Sequence, residues 1–403
     1  MTSVALPGDA PSRAPTLWLL SLASALSPFG MIVVVPALGA FAERFAVTPG
    51  EAQFLIASYL FGLGLGQPLA GSLSDRVGRR PVILAGFLLF TVTSIACVFV
   101  QSFPVLLAFR LVQALGVSVG TVGSRAIVRD THDALAAAQA MAWIGAAMGI
   151  APVIGPVIGG PLTAWGGPQL VFAASGVLGI IVLLAMHRGL TETRVRVAAT
   201  AGTRHWLANY GRLLRSRTFV GYTLMYAFMQ GSFFAFLAVA AIVFADHLGM
   251  NEAVFGMVWG AMGLVYVAGA ASGARLTRWL GIRRTVVWST VVITAAGLAL
   301  LLSTWLLGVT LAGLLVPLGV LMFGSGVQTP LAVAGSVNCE PEVAGTAAGL
   351  SSSLALGLSG SFSIVAGYLY TGSFLPVAGL VAILSSLAVV TCWMTRDPPA
   401  AMA

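Results

Sequence analysis

The chain has 403 residues, 58% of them hydrophobic and only 8% charged, where soluble domains carry roughly a quarter charged residues. That composition excludes a water-soluble globule and leaves no length for a large extramembrane enzyme domain, since each helical crossing of a bilayer takes about 20 apolar residues. The formal net charge of +8 is carried by arginine alone, in short clusters between apolar runs, which is the pattern of membrane-surface loops and not of a nucleic-acid-binding face.

The apolar runs fall at 17–39, 52–70, 81–100, 104–124, 138–162 and 170–186, then at 219–243, 253–271, 285–302, 306–333, 344–369 and 374–394. Lipid offers backbone groups no hydrogen-bond partner, so runs of this length are predicted to be helices, with boundaries uncertain by about two to four residues. The first run has a second reading as a secretory signal, because ALGA near Leu38 resembles a small-residue cleavage site. Its length and its leader, which holds Asp9 beside Arg13, favour a first transmembrane helix.

With the amino terminus inside, eighteen of the twenty arginines lie at cytoplasmic segments, Arg125 and Arg129 among them; Arg44 falls outside and Arg110 within a span. Both termini are therefore expected in the cytoplasm. The longest polar stretch, 188–217, divides the chain into a first half (1–187), a cytoplasmic central loop (188–217) and a second half (218–403). The sequence GSLSDRVGRR at 71–80 reappears, weakened, as GARLTRWLGIRR at 273–284, as an internal repeat predicts. Cys97, Cys339 and Cys392 have neither metal-ligand nor disulfide spacing, so no metal and no cofactor is expected.

Three motifs carry the chemistry. Between the second and third runs, Gly71, Asp75, Arg76, Gly78, Arg79 and Arg80 form a turn in which glycine permits tight bending and arginine holds the anionic leaflet surface. In the fourth run Arg110 and Gln113 are followed by RAIVRD, ending in Arg129 and Asp130; a charge at that depth persists when it faces a protein or watery interior, or when it snorkels to headgroups. In the fifth run Gly149, Pro152, Gly155, Pro156, Gly159 and Gly160 combine small residues for close helix approach with prolines that bend the helix.

The first motif resembles the loop signature of the major facilitator superfamily, and the resemblance extends over essentially the whole chain in helix count, halves and central loop. It implies an all-α polytopic membrane protein, twelve transmembrane helices in two pseudo-symmetric six-helix bundles. Asp75 is then associated with a latch to the other half, one-sided here because Thr277 stands at the matching place. The fourth-run pattern is similar to a family motif linked to proton coupling, although Ala114 replaces a glycine. The GPxxGG core resembles the drug and proton antiporter branch. With PALGAF, FGLGLGQPLAG and RAIVRD, the chain looks nearest to the bicyclomycin and chloramphenicol resistance subgroup, from which it departs in lacking an acid before Pro36.

The resemblance implies a monomeric secondary transporter in a bacterial cytoplasmic membrane, with a small molecule and protons as partners, working by alternating access and exporting its substrate. An uptake symporter or facilitator remains the alternative. No acid lies deep in a run, so a proton carrier is expected at the gates, at Asp130 or Asp75. Pseudo-symmetry places Tyr222, Tyr226 and Gln230 of the seventh run, followed by Phe233, Phe234 and Phe236, and Gln328 of the tenth, beside the substrate path; Gln67 and Tyr59 are weaker candidates. A membrane-embedded enzyme is not expected, because no histidine or acid lies at depth to activate a serine.

Overall fold

The computed structural model describes residues 16–193, 203–340 and 343–395. Arg13, Arg194, Arg196, Glu342 and Arg396, which the sequence assigns to loops and termini, lie outside the described residues. Twelve helices are long and apolar enough to cross a membrane. They are numbered α1 (Leu17–Phe45), α2 (Pro49–Val77), α3 (Arg79–Phe99), α4 (Phe103–Thr131), α5 (Ala134–Gly166), α6 (Leu170–Gly189), α7 (Arg217–Leu248), α8 (Glu252–Leu280), α9 (Ile282–Leu307), α10 (Leu311–Asn338), α11 (Ala344–Leu369) and α12 (Leu375–Met394). A short helix, Thr203–Arg215, precedes α7.

Most helices outrun their apolar cores. Polar residues cap them: Asp133, Ser216, Asn251 and Thr310 each accept a backbone N–H from the first turn of α5, α7, α8 and α10, satisfying groups that would otherwise be orphaned. The tenth run was expected from residue 306, but Leu306 belongs to α9, and α10 begins at Leu311. Gly308, at φ +68°, breaks a stretch that hydropathy alone reads as continuous. Within α1 the helix is interrupted by a 3₁₀ turn at Val35–Ala37, where Pro36 cannot donate to the preceding turn.

Two glycines mark the repeat. Gly78 (φ +119°, ψ 156°) separates α2 from α3, and Gly281 (φ +79°, ψ 164°) separates α8 from α9. That backbone region is open to glycine and costly for other residues, so one reversal has been built twice.

The first six and last six spans meet through α5 with α8 and through α2 with α11, with the tail of α1 adding contacts to α7 and α8. These seams are tight near the bundle end that carries Pro49, Glu252 and Gly367. There a Cβ on Gly50 would lie 3.1 Å from Gly367, and one on Gly160 would fall on the Glu252 carbonyl. Toward the arginine-rich end they part. A Cβ on Gly149 would find Val267 only at 4.0 Å, and one on Gly145 or Gly349 nothing within 4 Å. The spans are thus closed at one face and splayed at the other.

Candidate functional site

At the arginine-rich end, the loop predicted from GSLSDRVGRR is organised by Arg79. Its guanidinium donates to Asp75 (2.6 Å), Ser74 (2.8 Å) and Asp130 of α4 (3.0 Å). Arg80 donates instead to the His187 carbonyl in the last turn of α6 and to the Leu190 carbonyl just after it. Sequence reasoning passed over Glu192. Its carboxylate accepts the backbone N–H groups of Arg79 (2.9 Å) and Arg80 (3.1 Å), capping α3 from 113 residues away. The carboxylate also sits where the partial positive charge of that helix start is greatest. The sequence signal was faint: one acid in a stretch otherwise rich in arginine.

The latch expected of Asp75 is not engaged with the last six spans. Asp75 pairs with Arg79 of its own half, and its side chain is 61% exposed. Among the described residues Asp75 makes no ion pair with α7–α12, in keeping with the separation of the two sets of spans at this end. On the matching loop Thr277 donates to the Gly273 carbonyl, one turn back in α8, so no counterpart of the Arg79 network forms there.

Arg110 was expected to face either a protein or watery interior or the headgroups. It is 0% exposed and sits wholly among α1, α2, α3, α4 and α6, donating to the Gly30 carbonyl (3.0 Å), the Leu55 carbonyl (3.2 Å) and Gln113 (2.6 Å). Its guanidinium lies 4.2 Å from the Tyr59 ring centroid, while Gln113 donates to Ser94 at 2.6 Å. This charge is stitched into the first six spans by carbonyls and an aromatic face; it is neither a headgroup anchor nor in reach of a substrate path in this conformation. Tyr59 is likewise occupied, donating to the Ser27 carbonyl at 3.0 Å.

The α7 stripe divides. Tyr222, 1% exposed, packs onto Gly335 of α10, and Phe236 stacks on Trp259 with centroids 5.9 Å apart, while Phe233 lies tilted against the same ring at 6.2 Å. These aromatics are helix packing and not cavity lining. Gln328 is also consumed, donating to Thr290 at 2.7 Å. Tyr226 and Gln230 are different: hydrogen-bonded to each other and half-buried, they face the gap between the two sets of spans. Across that gap stands Arg125 of α4, which the sequence had placed at a cytoplasmic segment, just past the fourth apolar run. It lies in the helix, six residues before its end, and Tyr226 is its nearest electrostatic partner. The Arg125 side chain is exposed at the splayed end, where the two sets of spans part. Met148 of α5 touches it at 3.9 Å, and Tyr266 of α8, hydrogen-bonded to Thr329 of α10, adjoins Tyr226. Extending the fourth run by one helical turn would have shown that Arg125 and Arg129, four apart, share a face.

The motif in α5 forms the closed end. Gly155 and Gly159, one turn apart, pack onto the α1 backbone at Ile32–Val33, next to the break at Pro36. On the adjacent face, Gly160 lies on the Glu252 carbonyl, and the Pro156 carbonyl lies on Gly256 of α8. Prolines supply the curvature and glycines the room. Pro152 stands one turn earlier, where Val153 packs into Gly263.

Twelve spans, a duplicated glycine reversal and a recess between two sets of six describe a transporter. The family model described as Major Facilitator Superfamily matches residues 20–364. The chain belongs to that superfamily. Its relatives include the multidrug resistance protein D of Escherichia coli strain K12, 29% identical over 387 residues and covering 94% of each chain. The chloramphenicol resistance protein of Pseudomonas aeruginosa is 31% identical over 83% of this chain and 79% of its own. Among solved folds, a D-xylose–proton symporter superposes with a TM-score of 0.78 at 14% identity, covering 95% of this chain and 98% of that one. This superfamily member is accordingly a small-molecule transporter of two six-helix bundles.

Proposed function

We propose that the protein exports small amphipathic molecules across a bacterial cytoplasmic membrane, as a monomer, by alternating access coupled to protons. The arginine-rich face is cytoplasmic, following the positive-inside bias, and the two bundles, 1–187 and 218–403, rock about the recess. The observation that carries the reading is the α5 seam, in which the GPxxGG segment packs against both the α1 break and α8 at the face opposite the recess. A device that shuts the outer face while the inner face is splayed presents the recess to cytoplasmic substrate. The relatives named for multidrug, chloramphenicol and bicyclomycin resistance support the outward direction.

Arg79, Asp75 and Asp130 form the inner gate, with Gly71, Arg76, Gly78, Arg80 and Arg129 shaping or flanking it. Asp130 is the favoured proton carrier, because it ties α4, which bears Arg125, to the gate loop. Tyr226 and Gln230 line the recess. The deciding experiment expresses the protein in a host stripped of its own efflux pumps. Raised tolerance to a drug panel is expected, abolished when the proton gradient is collapsed; unchanged susceptibility together with substrate accumulation inside cells would reverse the direction.

A further inference from the structure

We propose that Arg125 is the specificity-determining cation of the recess and selects organic anions with an aromatic body. The inference rests on the reading of that recess as the transport site and names its substrate class.

The case begins with pairing. Among the described residues Arg79 takes Asp75 and Asp130, and Arg212 takes Glu340, whereas Arg125 has no carboxylate partner and only the Met148 sulfur at 3.9 Å. The exposed Arg125 guanidinium keeps its donors open to the gap, where an incoming anion can accept charge-assisted hydrogen bonds that are stronger than neutral ones. Arg129, one turn nearer the inner end of α4, acts on Arg125 electrostatically and enters no ion pair among the described residues. Two positive charges on one helix face raise the potential at the mouth and draw anions inward.

The far wall completes the match. Tyr226 is hydrogen-bonded to Gln230 and Tyr266 to Thr329, so the phenol groups have partners within the protein and can offer their ring faces. Among the described residues, none of the groups acting on Arg125, Tyr226 or Tyr266 is acidic. An organic cation entering here would meet a like charge and, among the described residues, no compensating carboxylate, while an aromatic anion would meet a planar fork of donors and two rings.

The test measures equilibrium binding to the purified full-length protein in detergent, using three probes: fluorescein as the anion, chloramphenicol as the neutral molecule and ethidium as the cation. The wild-type protein is expected to bind fluorescein more tightly than ethidium. Arg125→Gln is expected to weaken fluorescein about ten- to hundredfold, the worth of a charge-assisted hydrogen bond, and to leave chloramphenicol within about threefold. Arg125→Lys, which keeps the charge and loses the fork, falls between the two; monodisperse elution and an unchanged helical spectrum verify folding. Fluorescein binding that survives Arg125→Gln, that is absent from the wild type, or that is weaker than ethidium binding overturns the proposal. Everted vesicles separate the two readings. Fluorescein bound but never pumped removes export and keeps the anion site, whereas ethidium pumped without any fluorescein binding removes the anion site and keeps export.

Discussion

The Arg79 guanidinium joins Asp75, at 2.6 Å, to Asp130, at 3.0 Å, so that the first residue of α3 ties the end of α2 to the end of α4. The two carboxylates are not equivalent. The Asp75 side chain is 61% exposed and that of Asp130 24%, and an exposed pair contributes little because water screens it.

Asp130→Asn is therefore expected to cost more than Asp75→Asn, about 1–2 kcal/mol against a few tenths. It is also expected to slow proton-driven efflux more strongly. Thermal unfolding in detergent and transport in everted vesicles measure the two effects. A larger loss at Asp75 would show that the latch, engaged in another conformation, outweighs the bridge seen here.

Glu192 caps α3 through the backbone of Arg79 and Arg80, binding the start of the central loop to the gate. Glu192→Ala removes an acceptor for two helix-terminal donors and is expected to destabilise the first bundle by about 1 kcal/mol, as other cap deletions do. Glu192→Gln, which keeps an acceptor and loses the charge, is expected to recover part of that. Limited proteolysis between α6 and α7 gives a direct readout, with faster cleavage expected in the alanine variant. Equal cleavage in all three proteins would leave the cap without a mechanical role.

How much of this was legible depends on which physical rule applied. Span number and the repeat were readable because lipid permits one backbone solution and because GSLSDRVGRR and GARLTRWLGIRR mark equivalent loops. The α5 motif was readable as close packing, though not its two partners, since a string of glycines does not say which helix arrives. The recess was misread around its charges. Arg110, deep in an apolar run, drew attention as the single intramembrane cation, yet backbone carbonyls of α1 and α2 absorb it. Arg125, one residue past the apolar run, was counted only among the cytoplasmic arginines because hydropathy ends where polarity begins, whereas the helix continues to Thr131. Glu192 was invisible because its partners are backbone donors that only folding assembles.

Arg110 gives the sharpest contrast with an exposed charge. Three hydrogen bonds and the Tyr59 ring hold it inside the first bundle, so Arg110→Ala is expected to cost about 2–4 kcal/mol in stability and to cut the yield of folded protein. Substrate affinity of the surviving fraction is expected to stay close to wild type. Binding of chloramphenicol by material selected for correct elution measures this. Full stability with lost affinity would return Arg110 to the substrate path.

The α5 seam yields a prediction in which two glycines of one helix behave oppositely. At Gly160 a Cβ would fall on the Glu252 carbonyl, while at Gly145 it would meet nothing within 4 Å. Backbone cannot yield as a flexible side chain can, so Gly160→Leu forces α5 and α8 apart at the outer face, and overpacking of this kind costs about 1–3 kcal/mol. The closed end is then expected to leak. A cysteine introduced at Ala238, fully buried one turn below the outer cavity that Ala241 and Ala245 line on α7, is expected to react with a membrane-impermeant maleimide added outside in the Gly160→Leu background, and efflux is expected to fall at least about tenfold, the effect of 1.4 kcal/mol on a conformational equilibrium. Gly145→Leu, placed in the splayed region, is expected to leave the outer seal intact and to slow the export step, in which the inner ends of α5 and α8 close. If Gly160→Leu transports at the wild-type rate with Ala238→Cys still protected, the outer seal lies elsewhere and the α5 motif is only a bent packing helix.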